Sequence, residues 1–287
     1  MDTPLARLLE GYSIEVLPRT AAKVANFGDI LPAGTRVYIA HVPDAQLAPM
    51  VATAKRLCSD GLTVMPHFPA RAFANVAMLE TWIAAYADAG VHEALLIAGG
   101  AREPAGALRD AMSLAESGLF ERYGFRRLHF AGHPEGNRDI DRDGTGRALT
   151  ETLAAKQAFA DRTAMPVALV TQFVFDAAAV SGWIARLRAA GIRLPVHVGV
   201  AGPAKLQTLI KYAALCGVGA SAAVLKKRAR DVTRLLRPFE PTEVLEDLAA
   251  VQAARPVDGV EAVHFFPFGG VAACTAWANA RAGLTVS

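Results

Sequence analysis

Short apolar runs recur along the chain, and longer segments with apolar residues at helical spacing lie between them. Runs of this kind, four to eight residues long and bounded by turn residues, predict buried strands. They fall at Ser13–Leu17, Arg36–Ala40, Thr63–Met65, Ala94–Ala98, Arg127–Phe130, Ala168–Phe173, Val196–Val200 and Ala262–Phe265. The segments between them, among them Gln46–Ser59, Met78–Ala89 and Ala177–Ala190, predict amphipathic helices. Ala89-Gly90 and Ala190-Gly191 each place a glycine where a helix should stop before the next strand. Strands alternating with helices imply a parallel sheet. Eight such repeats in 287 residues fit a single-domain (β/α)8 barrel spanning residues 1–287 better than an open, doubly wound sheet. The longest connection, Ala201 to Glu261, should hold several helices, including Ala204–Cys216 and Thr242–Ala254.

Composition narrows the class. A hydrophobic fraction of 53% with 20% charged residues supports a large core and excludes disorder. The net charge of +3 comes without a long basic run. Lys226, Lys227, Arg228 and Arg230 read as a solvated helix end, so no nucleic-acid partner is expected. Cys58, Cys216 and Cys274 lie far apart, which suits reduced thiols of a cytoplasmic protein and neither a zinc site nor a disulfide framework. No signal peptide or membrane span is evident. No HxH or HExxH spacing suggests a catalytic metal.

In a barrel of this type the chemistry gathers at the carboxyl ends of the strands. Read in order, those places hold Glu15, His41, His67, the Gly99-Gly100 turn, the His133 loop, Gln172, Gly199 and His264. Alternation puts Ser13, Glu15 and Leu17 on one face of the first strand, with Ile14 and Val16 on the other. A carboxylate facing into a barrel needs a partner or a raised pKa, and a raised pKa makes a general acid. Pairing with Arg19 is the plainer alternative. His67 lies between Pro66 and Pro69 in a stiff, extended stretch, and Arg71 beyond it could grip a phosphate. Phe130 could stack on a flat ring or simply pack in the barrel. Gln172 ends an apolar strand and can donate and accept at once, which suits a heterocyclic amide edge; bonding to nearby loop backbone is the alternative. Asp139-Ile-Asp141-Arg-Asp143-Gly144 imitates a calcium loop, but Thr150 stands where the bidentate Glu belongs, so a solvated loop is the better reading. Gly217-Val218-Gly219 completes no dinucleotide fingerprint.

Several short motifs, in order, resemble the methylenetetrahydrofolate reductase family in its short bacterial form. They are Ser13-Ile-Glu15-Val-Leu-Pro18-Arg19-Thr20, Pro66-His67, His133-Pro134-Glu135, Thr171-Gln172-Phe173-Val174-Phe175-Asp176 and Val263-His264-Phe265-Phe266. The resemblance implies a flavin-dependent oxidoreductase on a (β/α)8 barrel. Hydride would pass between NADH or NADPH, FAD and methylenetetrahydrofolate, with the oxidising direction included. Glu15 would be its general acid. Gln172, Phe173 and Phe265 would contact the folate. Tyr38, His41, His67, Arg71, Gly99, Gly100, Phe130, His133, Asn137 and Lys156 would lie along the cofactor. A homo-oligomer is an expected state for such barrels. The chain departs from the family on the flavin side. Ile97-Ala98-Gly99-Gly100-Ala101 lacks the family's acid, and Tyr38 replaces its threonine. A flavin-free reductase of the same substrate, a folate-dependent methyltransferase and a non-catalytic folate-binding protein are the alternatives.

Overall fold

In the computed structural model, residues 3–101, 103–215, 238–254 and 259–285 are described. Eight parallel strands close on themselves in sequence order: β1 (Ser13–Val16), β2 (Arg36–Ile39), β3 (Thr63–Pro69), β4 (Glu93–Ile97), β5 (Arg127–Gly132), β6 (Val167–Val174), β7 (Val196–Ala201) and β8 (Ala262–Phe266). This is the expected (β/α)8 barrel. All eight expected strands are present. β3 runs on through both prolines to Pro69, so His67 is a strand residue and not part of a loop.

The helices that cover the barrel include those named from the pattern, with others, both long and short, added. They are α1 (Pro4–Leu9), α2 (Pro18–Ala21), α3 (Leu47–Ser59), α4 (Val76–Asp88), α5 (Ala111–Ala115), α6 (Leu119–Arg122), α7 (Arg147–Arg162), α8 (Ala177–Ala189), α9 (Leu206–Leu215), α10 (Thr242–Ala254) and α11 (Val271–Ala282). The predicted helix stops hold: Gly90 and Gly191 have φ of +86° and +78°, a left-handed turn that glycine adopts without strain. Cys216, the Gly217–Gly219 stretch and the basic cluster from Lys226 to Arg230 lie outside the described residues. Among the described residues no helix is long and apolar enough to cross a membrane.

Side chains alternate across each strand, so each strand feeds two cores. The outer core lies between strands and helices and holds Ile14, Val16, Val37, Phe68, Leu128, Phe130, Val198 and Phe265. The inner core is small: Tyr38, Met65, Leu95 and Val170. The remaining inward positions are mostly polar or small. Following the register round the cycle stacks the inward side chains in layers of four from alternate strands. The lowest layer is Ser13, Met65, His129 and His197. Above it lie Tyr38, Leu95, Val170 and His264. The uppermost, at the carboxyl ends, is Glu15, His67, Ala131 and Gly199. Below all three, Glu93 joins Arg36 and Arg127 in an ionic cluster that closes the amino-terminal end.

β1 and β8 close the barrel through the register pairs Ser13–His264 and Ile14–Phe265. Side chains reinforce the seam. Ser13 Oγ lies 2.9 Å from His264 Nδ1, and the Tyr12 hydroxyl donates to Asn279 Oδ1 at 2.8 Å.

Candidate active site

The uppermost layer brings together two groups from distant parts of the sequence. Glu15 Oε2 stands 3.3 Å from His67 Nε2. Arg19, the partner considered from sequence, is exposed, and the carboxyl turns to the imidazole instead. The two side chains retain only 19% and 12% exposure. Burial disfavours charge on both. It pushes the Glu15 carboxyl up to about 8. Burial, reinforced by nearby His41, pushes His67 down to about 3. Near neutral pH the pair is therefore a carboxylic acid facing an uncharged imidazole. His67 Nε2 has no hydrogen-bond partner among the described residues. Such a pair can deliver one proton and collect another.

Around this pair the rim is built by strand ends. His41, half-buried after β2, packs its ring 5.6 Å from that of Trp82. Gln172 is exposed at a bulge where β6 shifts register against β7. Thr171 holds the bulge: its hydroxyl accepts from Gly199 N at 2.9 Å and donates to the Gln172 carbonyl at 2.7 Å. A Cβ on Gly199 would lie 2.5 Å from the Thr171 carbonyl oxygen, so only glycine fits. Phe173 and Phe175 are buried in an apolar cluster with Phe239. Asp176 caps α8, accepting from Ala178 N and Ala179 N. Of the whole Thr171–Asp176 motif, the one side chain free to meet a ligand is thus Gln172.

Other expected site residues lie elsewhere. Phe130 and Phe265 are fully buried on the outer face, against Phe159 and Trp277. Their rings cannot stack on a ligand in the barrel mouth. Phe173 is likewise closed off by its neighbours. Tyr38 is fully buried one layer below the mouth, and its hydroxyl lies 2.6 Å from His129 Nδ1. His264 is not at a strand end but inside the barrel on Ser13. Arg71 spends its guanidinium on the Ala101 and Arg109 carbonyls, tying down the connection after β4 rather than reaching for a phosphate. Gly99 allows that connection to turn: φ is +92°, and a Cβ would lie 2.9 Å from Pro69 Cβ. Gly100 is exposed. Asn137 accepts from Asp139 N and Ile140 N within its own loop. Asp141 and Asp143 serve Gly146 and Thr145 in the same way, which favours the solvated loop over a calcium site. Lys156 is buried and donates to the Ala131 carbonyl at 2.8 Å. Burial brings its amine down to about 8, and burial with the Lys156 charge brings half-buried His133 down to about 4. Among the described residues no group of three or more His, Cys, Asp or Glu is placed to hold a metal ion.

Sequence reasoning placed Ser13 on the Glu15 face but missed the rest of the polar interior: His129 and His197, with Glu261 beneath. Its signal was present. The same period of two that turned Glu15 inward also turns Arg127, His129 and Ala131 inward, and His197 with Gly199.

No protein-family model matches the chain. Its fold is similar to that of a phosphonomutase candidate from Burkholderia cenocepacia J2315, with TM-score 0.50 and 17% identity over 92% of this chain and 89% of that one. A phosphoenolpyruvate phosphomutase from Streptomyces platensis subsp. rosaceus aligns with TM-score 0.45 and 12% identity over 92% and 79% of the two chains. A tryptophan synthase α-subunit from Pyrococcus furiosus aligns with TM-score 0.48 and 12% identity over 95% and 96%. At these identities the likeness is one of fold. The first of these is not described as a flavin or folate enzyme. The resemblance to methylenetetrahydrofolate reductases is therefore corrected, and the expectations of FAD, NADH or NADPH, and a folate substrate or methyl donor fall with it. The positions of Phe130, Phe265, Tyr38 and Arg71 agree with that correction, because four of the groups assigned to flavin or folate are spent on the scaffold.

Proposed function

We propose that this chain is an enzyme that moves protons on a small carbonyl compound bound at the carboxyl-terminal mouth of the barrel. The observation that carries the reading is the Glu15–His67 contact, in which burial keeps a carboxyl protonated beside an uncharged imidazole. A proton donor with a pKa near the working pH is what general acid catalysis asks for. Glu15 donates to the developing oxyanion of the carbonyl compound. His67 receives the proton released from carbon. Gln172, exposed on its bulge, orients the substrate through its amide. The reaction class is a lyase or isomerase step through an enol. Free thiols at Cys58 and Cys274 support a cytoplasmic setting.

The test is proton NMR in D2O with a panel of 2-oxo acids, hydroxyketones and sugar-derived aldehydes. Loss of the signal from the carbon beside the carbonyl, abolished in Glu15→Gln, is the expected result. A panel that shows neither exchange nor turnover, or a Glu15→Gln variant as active as the parent, overturns the reading.

A further inference from the structure

The interior polar groups do more than fill space, because they form a column that runs the depth of the barrel. At its foot, Glu261 is half exposed on the amino-terminal side, and Oε2 lies 2.7 Å from His197 Nε2. The His197 ring packs 4.6 Å from that of His129 at a steep angle. His197 Nδ1 and His129 Nε2 are both buried without hydrogen-bond partners among the described residues. His129 Nδ1 then meets the Tyr38 hydroxyl at 2.6 Å. The Tyr38 ring lies 4.3 Å from His264, whose Nδ1 meets Ser13 Oγ at 2.9 Å. Tyr38 is also edge-on to His67, at 6.2 Å, directly under the Glu15–His67 pair. Arg36, Glu93 and Arg127 flank the foot of the column.

Buried polar atoms left without partners are costly, and each needs a reason. Three orphan nitrogens mark the column among the described residues: His197 Nδ1 and His129 Nε2 at the junction of their two rings, and His67 Nε2 at its head. An imidazole can take a proton on one nitrogen while releasing another from its second. A buried water at each of these places would complete the hydrogen bonds.

We propose that the barrel interior is a proton relay, in which Glu261, His197, His129, Tyr38, Ser13 and His264 connect solvent at the amino-terminal face to the Glu15–His67 pair. The inference rests on Glu15 acting as an acid. When the proton given up by Glu15 leaves with the product, the relay supplies its replacement from below. A proton taken up at Glu261 enters His197, each member passes one proton upward, and Glu15 carboxylate gains one. Nothing is oxidised or reduced, and the imidazoles return to their starting tautomers by rotation or by the reverse shift. Ser13, Tyr38, His129, His197, His264 and Glu261 are positioning residues in this scheme, since none touches substrate.

The relay can be tested without a substrate, so its failure is distinct from failure of the proposed reaction. In histidine-labelled protein, nitrogen NMR reads the exchange of the ring N–H protons of His129 and His264 with water. Those protons should exchange far faster than the amides of β5 and β8. Glu261→Gln, at an exposed position, should slow that exchange by an order of magnitude or more and leave strand amide protection unchanged. Glu15→Gln, which alters only the mouth, should leave it fast. Ring protons as protected as the strand amides, or exchange indifferent to Glu261→Gln, overturn the relay. Should Glu261→Gln disturb the amides, His197→Gln provides the same break one step higher.

Discussion

Replacing Glu15 by Gln should make the protein more stable, and by an amount that depends on pH. The carboxyl titrates at about 8 in the folded chain and at 4.5 when freed from burial. Its folded pKa is raised, so the sign is opposite to that of a salt-bridged carboxylate. Below 4.5 both states are protonated and the residue costs nothing through ionisation. As pH rises past that value the unfolded chain ionises while the folded one does not, and stability is lost until the folded carboxyl also titrates. Each pH unit between the two values costs about 1.4 kcal/mol. At pH 7 the native residue therefore costs about 3 kcal/mol, and above pH 8 the cost levels off at about 5 kcal/mol. Gln has nearly the same shape and can still meet His67 Nε2, so Glu15→Gln removes the ionisation without opening a cavity. Urea denaturation of both proteins at pH 4.5, 7 and 8.5 is the assay. The midpoints should nearly coincide at the lowest pH and separate progressively above it, with the m-value unchanged. A constant offset across the series, or a variant less stable at pH 7, would refute the raised carboxyl pKa and with it the acid role of Glu15.

Acid should act through the histidines in the opposite sense. His67, His129, His133 and His264 are all held below their ordinary value of 6.5 by burial first. Their unfolded forms take up protons as pH falls through 6.5 while the folded forms do not. Stability should drop by several kcal/mol per pH unit below that point, outweighing the gain at Glu15, and a denaturation midpoint that is flat from pH 7 to pH 5 would contradict this. Gly99→Ala should destabilise the fold by about 1–3 kcal/mol, because φ is positive and the new Cβ meets Pro69; thermal unfolding checks it, and an unchanged Tm would rule out the strain. Glu93→Gln should cost about 2 kcal/mol or more by leaving Arg36 and Arg127 facing each other, with high salt recovering part of the loss; a neutral effect would mean that solvent already screens the cluster.

The barrel was legible because apolar runs and amphipathic helices repeat with a fixed period, and tertiary packing overrode none of them. Glu15 was legible for the same reason, since alternation alone turns it inward. The resemblance failed for a reason seen in Thr171–Asp176. Thr171 holds a bulge, Phe173 and Phe175 fill a core, and Asp176 caps a helix. Such residues recur wherever a bulged strand feeds a capped helix, whatever the barrel binds. Pro66-His67 is similar, with two prolines carried inside a strand. What the sequence could not supply was depth. Tyr38, His129, His197 and His264 look like strand-end candidates or core residues until the stagger of the strands ranks them in layers, and that stagger is a property of closure.

Closure at the β1–β8 seam has its own consequence for how this chain must be made and kept. The two strands are separated by about 250 residues, as the Ser13–His264 contact shows, and bringing such distant segments together carries a large entropic cost. The seam must then be among the last contacts to form, and synthesis cannot complete it until β8 has emerged. Once shut, the cycle presents no unpaired strand among the described residues. Opened there, it would expose two parallel edges at once, each a template for another chain. Loss of the Ser13–His264 or Tyr12–Asn279 link should therefore show itself first as aggregation during refolding, before any loss of folded structure at equilibrium.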